Sequence, residues 1–366
     1  MGWRALALCP AERGEEMARV LEDGLETERY RIRWNKHGQL CEVLDKRSDR
    51  QLLRPGELGN ELQVFEDDPH AFSAWNTEAY AYDKMLPVTE LESVEWLENG
   101  AVRACVRFAW RFHHSRITQV LTVYRDMDGI RFDTQCDWHE PDTLLKTCFP
   151  LDIHSIKATY DIQFGNVERA THENTSWEIA QFEVCAHKWM DLSEGDYGAA
   201  MLNDCKYGCD IKNGNMRLTL LKAPTYPDET ADIGAHRFAY CLLPHRGGWR
   251  EADIPQAAYA FNDGFIAAEA SGGADGILPG EYSLASVDAP GIMVETVKRA
   301  EDGDGWILRL YEYQQCHRAA LLRLGFAPRQ AWECDLLEQP LAGLDITADG
   351  VPLRFTPYEI KTIRVR

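Results

Sequence analysis

The sequence predicts an all-β protein organised as antiparallel sandwiches, and three observations carry that prediction. From residue 102 to 112 the even positions read Val102, Ala104, Val106, Phe108, Trp110 and Phe112, with Arg103, Arg107 and Arg111 between them. That alternation is the mark of a strand with one buried face. Runs rich in β-branched and aromatic residues recur along the whole chain, separated by Gly, Asn and Asp turn signals. Strand-helix alternation, which a parallel α/β sheet needs, is missing.

In chain order, strands are expected at 30–34, 102–112, 118–124, 130–136, 199–202, 216–221, 306–313 and 360–365. Turns are expected at Lys36-His37-Gly38, Asn99-Gly100, Asp126-Met127-Asp128-Gly129, Asn213-Gly214 and 301–305. Asn99-Gly100 and Asn213-Gly214 have the composition of a type I′ hairpin turn, in which both central residues take positive φ. Residues 15–25 place Met17, Val20, Leu21 and Leu25 on one helical face, but Gly24 limits any helix there to one or two turns. Glycine and proline cluster in Ser271-Gly272-Gly273-Ala274-Asp275-Gly276, Pro279-Gly280 and Asp288-Ala289-Pro290. This predicts a large β-sandwich domain over 1–290 and a small one over 291–366.

Charge and composition exclude several partners. The chain carries 39 Lys and Arg against 59 Asp and Glu, a net charge of −20, so phosphate is repelled and no nucleic-acid partner is expected. No apolar run approaches the roughly 20 residues that span a bilayer, so no membrane partner is expected. The first ten residues lack the apolar stretch and cleavage site of a secretory signal. Eleven dispersed cysteines, an odd number, read as reduced thiols of a cytoplasmic protein.

Motifs with a fixed chemistry are few. No His-Glu-x-x-His, Gly-x-Ser-x-Gly or Walker A run occurs. His113 and His114 are adjacent and on a strand would point to opposite faces. Cys205 and Cys209 form the one close cysteine pair and lack a second pair at zinc-ribbon spacing. Two segments stand out by composition. Residues 59–76 combine Phe65, Phe72 and Trp75 with Asp67, amides and a proline, the mixture that stacks on sugar rings and accepts their hydroxyls, although the aromatics would equally plug a sandwich edge. Residues 194–210 run an apolar strand into Asn203-Asp204-Cys205-Lys206-Tyr207, a polar cluster at a strand end where sites concentrate. A third loop, 223–232, holds two prolines and several acids.

Those segments carry a resemblance. Gly59 to Asn76, His172-Glu173-Asn174-Thr175-Ser176-Trp177-Glu178, Phe182-Glu183-Val184-Cys185-Ala186-His187-Lys188-Trp189, Gly195-Asp196-Tyr197-Gly198, Leu202 to Gly208 and Ala223 to Asp228 resemble the C-terminal half of the glycoside hydrolase family 38 α-mannosidases, in the branch with cytosolic, vacuolar and bacterial members. The tail, with Val297-Lys298-Arg299-Ala300-Glu301, Trp332-Glu333-Cys334-Asp335 and Tyr358-Glu359-Ile360-Lys361-Thr362, resembles that family's last small β-sandwich.

The resemblance implies a large antiparallel super-sandwich of the galactose mutarotase-like kind followed by the small sandwich. It also implies a parent reaction, retaining hydrolysis of α-mannosides through a covalent glycosyl-enzyme intermediate, whose nucleophile and divalent metal (zinc or cobalt) belong to an N-terminal catalytic domain. No match to that domain precedes Met1, so the chain is expected to be part of a longer enzyme or a shortened reading frame, with no catalytic residue and no cofactor of its own. The expected partners are the N-terminal catalytic domain, the α-mannoside and, in a homo-oligomer, further copies of the chain. Asp204, Lys206 and Tyr207, with Asn203 at the strand end, and after them Trp75 and Asp67, are expected to face the sugar pocket or the catalytic domain. Family relatives place Arg after the Asp of this loop, where this chain has Cys205 and Lys206. The alternatives are a non-catalytic carbohydrate-binding module, an assembly surface, and a mutarotase in which His187, His172 and Glu183 would supply acid and base.

Overall fold

The structure, a computed structural model, describes residues 2–6, 9, 14–269 and 279–366. The glycine cluster Ser271 to Gly276 lies outside the described residues. Two compact units are resolved, one of Ala11–Ile162 with Val167–Gly264, the other of Met1–Pro10, Gln163–Asn166 and Phe265–Arg366.

The larger unit pairs a nine-stranded with a six-stranded antiparallel sheet. At the centre of the first, Arg103–Phe112, Ser115–Tyr124, Ile130–Trp138, Gly234–Arg246 and Tyr197–Asn203 lie side by side. The second is built around Asn215–Lys222, Thr143–Pro150 and Glu61–Glu66. Alternation places Val106, Phe108, Ile117, Leu121, Phe132 and Leu242 of one sheet in the same buried core as Leu62, Val64, Leu145, Phe149, Met216 and Leu218 of the other. A five-stranded sheet over residues 19–51 adds Leu25, Ile32 and Val43 to that core.

One polar network crosses between the sheets. The Tyr240 hydroxyl donates to Asn60 Oδ1 at 2.6 Å, Gln119 Nε2 donates to Tyr240 and to Thr134 Oγ1 at 2.8 Å each, and Asn60 Nδ2 donates to Gln119 Oε1 at 2.7 Å. Its members satisfy one another, which is what lets amides sit in an apolar layer and favours one register.

The outer face of the nine-stranded sheet is apolar where a helix, Ile254–Asn262, covers it. Trp189, Ala200, Leu202, Cys241 and Leu243 pack there with Trp249, Ile254 and Ala258. The edge strand Glu90–Asn99 is blunted by charge: Glu98 pairs with Arg103 at 2.8 Å, Glu95 with Arg107, and Glu92 with Arg111 at 2.7 Å and Arg116 at 3.1 Å.

The smaller unit contains a five-stranded and a three-stranded sheet around Leu308, Leu310, Leu322, Val351, Leu353 and Ile363. It also holds the pair Gly2–Arg4 with Glu281–Ser283.

Several expectations change. Residues 15–25 form no helix; Arg19–Leu21 and Gly24–Glu26 are a hairpin turning at Glu22-Asp23, because Val20 and Leu25 gain cross-strand partners that one helical turn could not give. Asn213 and Gly214 do take positive φ, +51° and +77°. Asn99 and Gly100 do not, since Asn99 stays in its strand and its amide bonds both backbone groups of Ala18. His113 and His114 are not strand residues but the two-residue turn between Phe112 and Ser115. Val102 is exposed and precedes its strand. The helix at 254–262 was not expected, although Ile254, Ala257, Ala258 and Phe261 follow the i, i+3, i+4, i+7 spacing.

Candidate functional site

The strand-end loop is anchored by Asn203. Its buried carboxamide donates to the His187 carbonyl at 2.8 Å and accepts the Lys206 N–H at 2.8 Å, while its backbone carbonyl accepts from Asn262 at 3.0 Å. Asp204 is exposed as a residue, yet its Oδ2 accepts the Ala239 N–H at 3.0 Å, so the carboxylate caps the neighbouring strand. Lys206 lies 4.8 Å from the centroid of Phe238, a cation–π contact. Tyr207 is half exposed and meets the His187 ring edge-on at 5.3 Å. Tyr207 leaves half of its surface to solvent; Asn203 and Asp204 hold the loop in place.

Asp67 and Trp75 belong to a second cluster. Asp67, just beyond the strand Glu61–Glu66, is almost fully buried and paired with Lys222, which also donates to the Asn76 carbonyl at 2.9 Å. Burial pushes the Asp67 carboxyl up, Lys222 pulls it back, and the net shift is upward. The loop beyond is tied down by Ser73, which donates to the Tyr226 carbonyl at 3.2 Å and accepts the Tyr226 N–H at 3.0 Å. Phe72, Trp75 and Tyr226, each more than half exposed, form a cluster of inclined rings with Phe72 6.3 Å from Trp75 and 6.4 Å from Tyr226.

Beside Gly208 lies a charged layer that sequence reasoning did not assemble. Lys146, Asp210, Arg217 and Thr219 occupy the strand positions that alternate with core residues and so face outward from the six-stranded sheet. Lys146 Nζ is fully buried, 2.7 Å from Asp210 Oδ2 and paired with Glu183. Asp210 Oδ1 also accepts from Arg217 at 2.8 Å. Glu183 accepts further bonds from Tyr82 and Thr219. Burial pushes the Glu183 carboxyl up, but Lys146 and the hydroxyls outweigh it and leave the group below its ordinary value. Gly208 makes room for this: a Cβ there would stand 2.6 Å from Glu183 Oε1. The signal in the sequence was a lysine and an aspartate at mid-strand.

Each member of the mutarotase trio has another partner. Glu183 is taken by Lys146, His172 lies 3.4 Å from Glu178, and His187 packs on Tyr207. Nor do the residues fit a metal ion. Among the described residues no three His, Cys, Asp or Glu side chains form such a group. Burial, with Asp204 beside it, pushes the Cys205 thiol up to about 11, and burial raises Cys209 well above its ordinary value, so neither is a thiolate at neutral pH. All eleven cysteines are free.

An antiparallel super-sandwich whose strand-end loop and aromatic loop are fixed by their own hydrogen bonds matches a known class. The family model described as glycosyl hydrolases family 38 C-terminal domain matches residues 25–230, and that of the family 38 C-terminal beta sandwich domain matches residues 291–363. The chain belongs to glycoside hydrolase family 38, as its C-terminal region. It is similar to alpha-mannosidase 2C1 of Homo sapiens, 36% identical over 351 residues that cover 94% of this chain and 33% of the relative. Alpha-mannosidase G of Dictyostelium discoideum is 33% identical, covering 90% and 31%. The chain thus spans about a third of the length of these curated relatives. The crystal structure of an alpha-mannosidase from Enterococcus faecalis V583 shares the fold, with TM-score 0.79 and 17% identity over 97% of this chain and 43% of that one.

Proposed function

We propose that this chain is the non-catalytic β-sandwich region of a cytoplasmic α-mannosidase, and that it acts beside an N-terminal catalytic domain carrying the nucleophile and a divalent metal, zinc or cobalt. The observation that supports this most is the state of its buried carboxylates. Retaining hydrolysis needs one carboxylate free to attack and a second able to give and take a proton, about 5–5.5 Å away. Here Glu183 and Asp210 are held by Lys146 and Arg217, and Asp67 by Lys222. No bond-making step falls to these residues.

What the chain contributes is position and surface. Asn203 and Asp204 fix the loop that presents Lys206 and Tyr207 to the substrate or to the catalytic domain. Eleven free cysteines support the cytoplasmic assignment, and among the described residues no helix is long and apolar enough to cross a membrane.

A second reading, a carbohydrate-binding module, is favoured by the exposed Phe72, Trp75 and Tyr226 cluster, since exposed aromatic faces stack on sugar rings. Calorimetric titration with methyl α-mannoside separates the two. The accessory reading expects no heat up to millimolar sugar; saturable heat that disappears in Trp75→Ala would replace it with the module.

A further inference from the structure

We propose that the cavity between helix Ile254–Asn262 and the outer face of the nine-stranded sheet is a binding site for a small amphipathic anion, a flat apolar body carrying one carboxylate, sulfonate or phosphate. The cavity has a volume of about 910 Å³, in the range of sites that hold drug-sized ligands, about 300–1,000 Å³. It lies within the larger unit and shares no residue with the strand-end or aromatic loops.

Its floor and the helix side are apolar. Leu202, Cys241 and Leu243 rise from the sheet, and the opposite side is formed by Ile254, Phe261 and the alanines Ala257 and Ala260. The space exists because those two helical positions carry methyl groups where larger side chains would close the gap on the sheet. Such a floor offers no acceptors to a ring of hydroxyls, so a mannoside is the wrong occupant. An apolar body is the right one.

The mouth is cationic. Arg131 lies 4.7 Å over the Phe261 ring and is held by Asp133 through two bonds of 2.8 and 2.9 Å. Arg47 is 2.7 Å from Asp128, a carboxylate that Arg29 shares. Asp45, the other acid on the wall, accepts the Arg47 N–H at 3.1 Å and the Tyr197 hydroxyl at 3.3 Å. Arg246 is different: its guanidinium donates to the Arg47 carbonyl and to Ser48 Oγ at 3.3 Å, both neutral acceptors. Among the described residues no carboxylate pairs with it. A surplus guanidinium at the mouth of an apolar cavity, in a chain of net charge −20, is complementary to one anionic group on an apolar ligand. On the inner wall His245 is fixed by Asp191, 2.7 Å from its Nε2, and its buried Nδ1 has no hydrogen-bond partner among the described residues.

The probe is 1-anilinonaphthalene-8-sulfonate, titrated into the full chain by fluorescence beside its neutral counterpart N-phenyl-1-naphthylamine. The expected result is one site per chain. Ala257→Trp, which fills the cavity, weakens the sulfonate at least tenfold, and Arg246→Gln weakens the sulfonate several-fold while leaving the neutral probe unchanged. Circular dichroism checks that each variant is folded. Arg246 is exposed, so its variant decides the question if Ala257→Trp does not fold. Titration of Ala257→Trp like the parent chain, several equivalent weak sites, or equal response of the two probes to Arg246→Gln would each overturn the assignment.

Discussion

Lys146 Nζ sits 2.7 Å from Asp210 Oδ2 with both side chains wholly buried, on the outward face of the six-stranded sheet. With Glu183 and Arg217 beside them the layer holds two cations and two anions, so no charge is left uncompensated. Removing one member does leave such a charge. Lys146→Met is expected to destabilise the fold by about 3–5 kcal/mol, the usual penalty for breaking a buried pair. The double variant Lys146→Met with Glu183→Gln is expected to recover part of that loss, measured by urea unfolding.

The same layer sets a pH dependence. The folded Glu183 carboxyl lies below its ordinary value, so its contribution is complete above the ordinary carboxylate range and is lost as pH falls through the lowered value. Asp67 has the opposite sign. Its folded value is raised, so the folded state takes up that proton first and the Asp67 term turns favourable as pH falls. Acid unfolding followed from pH 7 to 2 is therefore expected to be less steep in Glu183→Gln and steeper in Asp67→Asn.

Gly208 is expected to be intolerant of a side chain. A Cβ there would lie 2.6 Å from Glu183 Oε1 and 3.2 Å from Thr219 Cβ, and Glu183 is locked by three donors. Gly208→Ala should cost about 1–3 kcal/mol, as overpacking typically does, read as a lowered Tm.

The network between the sheets gives a sharper case. Tyr240→Phe removes one oxygen and leaves Asn60 Oδ1 and Gln119 Nε2 each short of one partner. The expected loss is about 1–3 kcal/mol by denaturant titration, with unchanged far-UV circular dichroism.

Within the candidate site the residues separate into holders and presenters. Asn203→Ala breaks two bonds of 2.8 Å in a buried position and should destabilise by about 1–3 kcal/mol. Trp75→Ala and Tyr207→Ala, at 69% and 50% exposure, should stay within about 0.5 kcal/mol of the parent.

Much of the fold was legible because strand alternation is local. The strands Tyr30–Trp34 and Ile360–Val365 have the expected limits, and Asn213-Gly214 turns as its composition requires. Tertiary partners decided the rest. Asn99 has the same turn composition, yet its amide is used on Ala18, and the hairpin at 19–26 exists only through cross-strand pairing. The candidate loops stood out by composition, not by chemistry. Nothing local says that Asp204 would spend its carboxylate on Ala239. Nor does local sequence bring Lys146, Glu183 and Asp210 together, because residues this far apart in the chain meet only once the sheet forms.

Whether this β-region carries a hydrolytic step of its own is decided by hydrolysis of an aryl α-mannoside by the purified chain, with and without added zinc or cobalt. Turnover is expected to be no greater than in buffer under every condition. Metal-dependent, saturable turnover by the chain alone would contradict it.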